Sequence, residues 1–260
     1  MQGDHIEGLM AFLDNSLTSY HAVDNIRREL LQKGFTELSE KKVWSLEAGG
    51  DHFVIRNDSS VIAFRVPECD VHEIRGYHVY AAHSDSPAFK VKENPEIEKE
   101  GGYVSVNTEK YGGMVLSTWL DRPLTIAGRV CVEEDGEIVS RLVRLKDNIC
   151  VIPSLAIHMN RDTNNGVALS AQNDMMPLLM AADCDDRERK SKGMLAAMAA
   201  KALDIKADSV LSCDLFVENC EKAVLAGAED EMVMAPRFDD LACVFAGLKG
   251  IAGKRSERYI

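Results

Sequence analysis

Residues 77–87 read YHVYAAHSDSP. The first six form a compact, largely apolar run of strand length, and it stops abruptly at His83-Ser84-Asp85-Ser86 before Pro87. The pattern predicts a strand over 77–82 that ends where polar chemistry begins. If the extended conformation continues, Asp85 projects to the same side as His83, because alternate residues of a strand share a face. An imidazole that binds a metal generally has a carboxylate or carbonyl on its other ring nitrogen, and Asp85 is placed to supply one. Taken alone, the same residues also describe an ordinary polar strand end capped by Pro87.

Working outward, Ile6, Leu9, Met10 and Leu13 recur at helical spacing, as do Val23, Ile26, Leu30 and Leu31 before Gly34. Two amphipathic helices therefore open the chain. From Val43 to Val66 the text is β-like (WSL, HFVIR, VIAFRV), with Asn57-Asp58-Ser59-Ser60 as a turn. Between 93 and about 150 further β-rich runs follow one another (YVSVN, MVLSTWL, LTIAGRVCV, IVSRLVRL), and Asp135-Gly136 signals a hairpin. A charge-dense loop, DCDDRERKSK (183–192), precedes a helix over Met194–Leu203 and a strand near Val210–Val217. A last helix follows Pro236 and carries Asp239-Asp240 at its start. Met175, Met176 and Met180 read as core filler.

Composition narrows the function classes. With 260 residues, 46% hydrophobic and 28% charged, the chain has the make-up of a folded globular protein. A formal net charge of -12 repels nucleic acid and anionic lipid, so neither nucleic-acid nor membrane binding is expected. No apolar run approaches the roughly 18–20 residues of a membrane helix, and MQGDHIEG is unlike a signal peptide. A cytoplasmic location is the expectation. The seven Cys lack a C-x-x-C pair and fit reduced, mostly buried thiols.

Among the seven His, His83 is the leading candidate for a ligand. Asp239 is the second candidate residue. Carboxylates at a helix start complement the macrodipole and cap free N–H groups, so local pattern alone fits a cap as well as a metal-binding carboxylate. His158, in IPSLAIHMNRD, follows a short apolar run; taken by itself it reads as a structural or surface histidine.

Taken together, FLDNSLTSYHAV (12–23), WSLEAGGDHFVIRNDSSVIAF (44–64), AAHSDSPAFKVK (81–92), YGGMVLSTWLDRPLTIAGRV (111–130), IPSLAIHMNR (152–161) and APRFDDLACVFAGL (235–248) resemble the aspartyl aminopeptidase family of zinc metallopeptidases. Leu17 stands where that family's pattern has Pro, and Asp240 where it usually has Asn. The resemblance implies an α/β fold: a mixed-sheet zinc-exopeptidase catalytic domain, here incomplete, interrupted by a β-rich dimerisation domain. The expected division is residues 1–92 and 229–260 for the catalytic pieces, with 93–228 between them. The implied activity is removal of N-terminal residues, preferably Asp or Glu, from peptides by water activated on two zinc ions (Zn2+). His83 matches a ligand of one zinc, Asp85 its orienting partner and Asp239 the carboxylate bridging both. His158 matches a histidine that reaches into a neighbouring subunit's active site, so a homo-oligomer formed through the β-rich domain is implied.

The same family takes its general base and further ligands from a Glu-Glu pair, another Asp and a final His that follow the segment matching Asp239. Residues 240–260 contain one Glu, Glu257, and no His. Zinc usually takes at least three protein ligands, more than His83 and Asp239 supply. The expectation is therefore an N-terminal portion of such an enzyme, completed by a companion chain or further sequence. The alternative is a catalytically incomplete fragment serving as an assembly or regulatory module of the family. An unrelated metal-independent binding protein would require the ordered motifs to be coincidental.

Overall fold

The computed structural model describes residues 2–74, 76–181 and 192–254. Most of the charge-dense stretch 183–192 therefore lies outside the described residues. The chain divides into two units, Met1–Ser86 with Lys222–Ile260, and Pro87–Glu221.

In the first unit, α1 (Gln2–Asn15) and α2 (Ser19–Gln32) are separated by Thr18, whose Oγ1 lies 3.5 Å from the His21 N–H and caps the second helix. Gly34, at φ 88°, then turns the chain out of the helix, a conformation glycine adopts without steric cost. Three strands follow: β1 (Thr36–Leu38), β2 (Asp51–Arg56) and β3 (Ser60–Arg65), in the order β1-β2-β3. β1 runs parallel to β2 and β3 antiparallel to it, so the sheet is mixed. The HFVIR and VIAFRV runs are these last two strands; WSL (44–46) forms no strand.

In the second unit, β4 (Ala88–Lys99), β5 (Tyr103–Tyr111), β6 (Leu124–Glu134), β7 (Glu137–Arg144), β8 (Leu178–Ala181) and β9 (Val210–Asn219) build one sheet, ordered β7-β6-β9-β4-β5-β8. Asp135 and Gly136 both have positive φ, as a tight hairpin between β6 and β7 requires. MVLSTWL, expected as β, contains instead a 3-10 turn at Leu116–Trp119. Its apolar residues are held by packing rather than pairing: Trp119 meets Phe89 edge-on at 5.1 Å, and Met114, Leu116, Trp119 and Leu120 lie against the core. Helix α3 (Met194–Ala202) lays Leu195 and Ala199 on that core, and its free N-terminal Leu195 N–H donates to Glu96 on β4 at 2.9 Å. Met175 is fully buried there, as the sequence suggested.

The chain returns to the first unit through a two-stranded antiparallel hairpin, β10 (Val224–Ala226) with β11 (Met232–Met234), and ends its described part in α4 (Phe238–Ala252). Leu241, Phe245 and Leu248 of α4 pack with Phe12, Leu13, Ile26, Leu30 and Phe53 into that unit's core. The run 77–82 departs from expectation: it forms no strand, and Tyr77, Val79 and Tyr80 are exposed. A strand is secured by ladder partners, and this run belongs to none of the sheets.

Two outcomes test this packing. Leu13→Ala removes a fully buried side chain from the first core and is expected to cost about 2–5 kcal/mol in urea denaturation. In the second unit, burial beside Cys220 pushes the Cys150 thiol up to about 12, so Cys150 stays protonated at neutral pH. Mass-mapped alkylation at pH 8 should label Cys150 only after denaturation.

Candidate metal centre

α4 brings the candidate residues together by an irregular start. Arg237 precedes it at φ 61°, and Asp239 and Asp240 have non-helical backbone angles. The two carboxylates therefore do not act as an ordinary N-terminal cap, and the preceding residue makes no side-chain cap bond either. Asp240 turns back to the 77–86 segment, its Oδ2 accepting the His83 main-chain N–H at 3.3 Å. Ser86 Oγ donates to the Asp239 main-chain oxygen at 3.2 Å. Farther along, the Tyr80 hydroxyl donates to the Cys243 carbonyl at 2.9 Å, and Ser84 Oγ to the Ser59 carbonyl at 3.1 Å. Asp240 stands out in the sequence only as half of the doubled Asp at the helix start and where the family usually has Asn; Tyr80 has no such signal.

The imidazole geometry carries the chemistry. His83 Nδ1 lies 3.0 Å from the Asp85 main-chain oxygen and 3.4 Å from its Oδ1. A carbonyl only accepts, so Nδ1 carries the hydrogen. Asp85 thus orients the ring more closely through its backbone than through its carboxylate. In the neutral ring Nε2 is then a bare lone pair, and it faces Asp239 Oδ1 at 3.2 Å. Two acceptors at that distance repel unless a proton or a cation lies between them. Partial burial acts to lower the His83 pKa, but the Asp85 carbonyl bond and the charges of Asp85, Asp240 and Asp239 outweigh it, and the net direction is upward. Asp240 is held below the usual carboxylate range, chiefly by the Cys243 side chain; burial opposes this, and the His83 N–H and its charge add to the lowering. The Asp239 carboxylate is 94% exposed, open to an incoming ion.

As a zinc site, this donor set is partial. An imidazole nitrogen and a carboxylate oxygen converge with the right chemistry, yet among the described residues no group of three or more His, Cys, Asp and Glu comes together that could hold a metal ion. The residues present do not by themselves fit a complete zinc site. His158 lies in the other unit, exposed in a turn where the Met159 N–H donates to the Ala156 carbonyl at 2.8 Å. A cavity of about 470 Å³ in that second unit, lined by Asp121–Pro123, Asn148–Val151 and Leu178–Ala181, contains none of the candidate residues.

The family model for "Aminopeptidase I zinc metalloprotease (M18)" matches residues 12–258. The chain belongs to this family. A probable M18 family aminopeptidase 2 of Clostridium novyi is 41% identical over 94% of this chain and 56% of its own length. Among solved structures, the cryo-EM structure of the Ape4 and Nbr1 complex superposes with a TM-score of 0.89 at 31% identity, covering 95% of this chain and 50% of that one. The S. cerevisiae mApe1 dodecamer does so with a TM-score of 0.79 at 27% identity, over 95% and 55%. The mixed α/β architecture is thus that of M18 aminopeptidases, and the chain spans little more than half the length of the curated relatives it matches.

The tautomer is directly measurable. In 15N-detected NMR of the metal-free chain, neutral His83 is expected to carry its proton on Nδ1, and added zinc should move the Nε2 resonance, a response lost in His83→Ala. An Nε2–H tautomer would contradict the geometry.

Proposed function

We propose that this chain is the ligand-bearing first portion of a zinc aminopeptidase whose site is completed by residues in the share of its relatives that it does not span. The observation that carries the reading is the convergence of His83 Nε2 on Asp239 Oδ1 across 3.2 Å, an imidazole nitrogen and an open carboxylate that a shared cation would join. By the family resemblance, the completed site would hold two zinc ions, with His83 and Asp239 among the residues that hold them, and would act on the N-terminal residue of a peptide. Such ions would supply Lewis acidity and lower the pKa of a bound water toward neutrality. Of this chain's own residues, Asp85 fixes the His83 ring, Asp240 holds the His83 backbone, and Asp239 offers its open carboxylate.

A preference for Asp or Glu at the peptide's N-terminus is part of the reading, and it calls for a cation near the site. Three cations near the motifs are engaged elsewhere: Lys90 pairs with Asp214 at 3.2 Å, Lys92 donates to Gln172 at 2.9 Å, and Arg237 donates to the Leu13 carbonyl at 3.2 Å. The pocket's charge then comes from the completing residues or a neighbouring subunit. Assembly fits the second unit, read as a dimerisation domain within a cytoplasmic homo-oligomer. Its segment around His158 exposes Leu155, Ile157 and Met159, the surface expected of residues reaching a neighbouring subunit's site. The second reading, a catalytically incomplete module that assembles with or regulates a fuller partner, is favoured by the partial donor set. It predicts oligomers on size-exclusion chromatography that persist in chelator.

The test is zinc stoichiometry and hydrolysis of an Asp-initiated peptide, for the chain alone and after co-expression with the uncovered share of the Clostridium novyi relative. Alone, less than one tightly held zinc and no turnover are expected. With the complement, two zincs and turnover should appear, and His83→Ala should reduce turnover by more than the roughly 10–100-fold lost with an outer partner of a ligand. Two tight zincs with turnover by the chain alone would refute incompleteness, and neither appearing in the complemented protein would refute the peptidase reading.

A further inference from the structure

We infer that Asp121 is a positioning residue whose carboxylate fixes the root of the exposed stretch 155–168 and so sets where that arm meets a second copy of the chain. The inference rests on the assembly reading just given and adds the group that holds the arm for it. The arm leaves the second unit between Ile152 and Met175, both fully buried, and residues 155–168 are all exposed except Asn160. Its one regular element is the 3-10 turn Thr163–Asn165. A connection so long and so bare of helix or strand is uncommon inside a compact unit.

One residue holds the root of this arm. The Asp121 main-chain N–H donates to the Ile152 carbonyl at 2.9 Å, while Oδ1 accepts the Ser154 N–H at 2.9 Å and Oδ2 accepts the Ser154 hydroxyl at 2.5 Å. Bonds to an ionised carboxylate are shorter and stronger than those to a neutral acceptor. The Ser154 hydroxyl and N–H also hold the Asp121 carboxyl below the usual carboxylate range, with burial opposing, so the charge is present at neutral pH. At the far end the Lys92 ammonium on β4 donates to Gln172 at 2.9 Å, and Asp174 accepts the Ser170 N–H at 2.7 Å. Between the two roots the arm bonds to itself: the Met159 and Asn160 N–H groups donate to the Ala156 carbonyl at 2.8 and 3.2 Å, and the Asn165 N–H to the Asp162 carbonyl at 2.8 Å.

Fixing the root matters because a loop that must be ordered as it docks loses affinity to conformational entropy, and a loop already ordered does not. Asp121 sets the direction in which the chain leaves Ile152, and the turn closed on Ala156 carries Leu155, Ile157 and Met159 outward as one piece. The residue suits the task in its backbone as well. It stands at φ 58°, a left-handed conformation that Asp tolerates better than most side chains, and its main-chain N–H and its carboxylate both bond to the 152–154 segment.

The experiment compares the whole chain with Asp121→Gly, Asp121→Asn, Met159→Asp and the double variant of Asp121→Gly with Met159→Asp, by sedimentation equilibrium and hydrogen–deuterium exchange. Glycine takes the left-handed backbone at 121 without strain, so the first variant removes the carboxylate alone. Asparagine keeps an acceptor for the Ser154 N–H and donates to the hydroxyl oxygen. Asp121→Gly should speed exchange at 154–160 about tenfold and weaken self-association about tenfold, the size of loss that follows removal of a bond to a charged group, while the β6–β9 ladder amides stay unchanged. Asp121→Asn should restore both. Met159→Asp should weaken self-association as well, and the double variant should be no weaker than the worse single, because Asp121 acts through the arm. The inference is overturned if Asp121→Gly assembles like the parent, if Asp121→Asn is as weak as Asp121→Gly, or if the losses multiply in the double variant. Loosening of the β6–β9 ladder together with the arm overturns it too, since Asp121 would then support the fold. A parent that stays monomeric at every concentration removes the assembly reading and the inference with it, whereas a parent and an Asp121→Gly variant that assemble equally remove the inference alone. Assembly that depends on Asp121, in a complemented protein that holds no zinc and cleaves no peptide, supports the inference while removing the peptidase reading.

Discussion

The first unit depends on the anchoring of α4. Its residues Leu241, Phe245 and Leu248 lock into the same core as Phe12, Leu13, Leu30 and Phe53, and this packing fixes where the helix begins. Because that start is irregular, Asp239 and Asp240 leave the helix path and meet a segment more than 150 positions earlier in sequence. Coupling between distant stretches of chain is therefore delivered by apolar burial, at about 25 cal/mol per Å² removed from water, and the polar contacts only refine it.

Division of labour inside the Asp-rich cluster follows from geometry. Asp240 spends its carboxylate on the His83 backbone N–H and the Cys243 side chain, which holds it ionised. Asp85 acts on the ring through its main-chain oxygen at 3.0 Å. Asp239 alone of the three presents an almost fully exposed carboxylate to Nε2. A metal ligand must have both an uncommitted lone pair and an open approach, and this arrangement leaves both to Nε2 and Asp239.

Elements set by local periodicity were legible in the sequence. Ile6 to Leu13 and Val23 to Leu31 gave α1 and α2, Asp135-Gly136 gave the β6–β7 turn, and HFVIR with VIAFRV gave β2 and β3. His83 and Asp239 were legible as candidates because each stands at an abrupt change from apolar to polar text, and the structure brings them within 3.2 Å. What local pattern could not convey was pairing. YHVYAA and MVLSTWL have strand composition, but a strand exists only where another offers its ladder; the second run found side-chain packing instead and turned into a 3-10 segment. β4, interrupted by Pro95 and a register shift between Val91 and Glu96, hid its strand character for the opposite reason: its pairing with β5 overrides weak local propensity. Asp240 was obscured because a carboxylate beside a helix start ordinarily signals a cap, and only the non-helical backbone there redirects it.

Folding and chemistry are separable in this chain. Neither core contains His83, Asp85, Asp239 or His158; both are filled by aliphatic and aromatic side chains together with Cys150 in the second unit. The first unit's core packs without the His83–Asp239 pair, which lies outside the residues that hold that unit together. The first unit leaves apolar surface uncovered on Tyr77 and Val79, and also on Val224, Leu225, Met232 and Met234 of a two-stranded hairpin, an element that is marginal in water by itself.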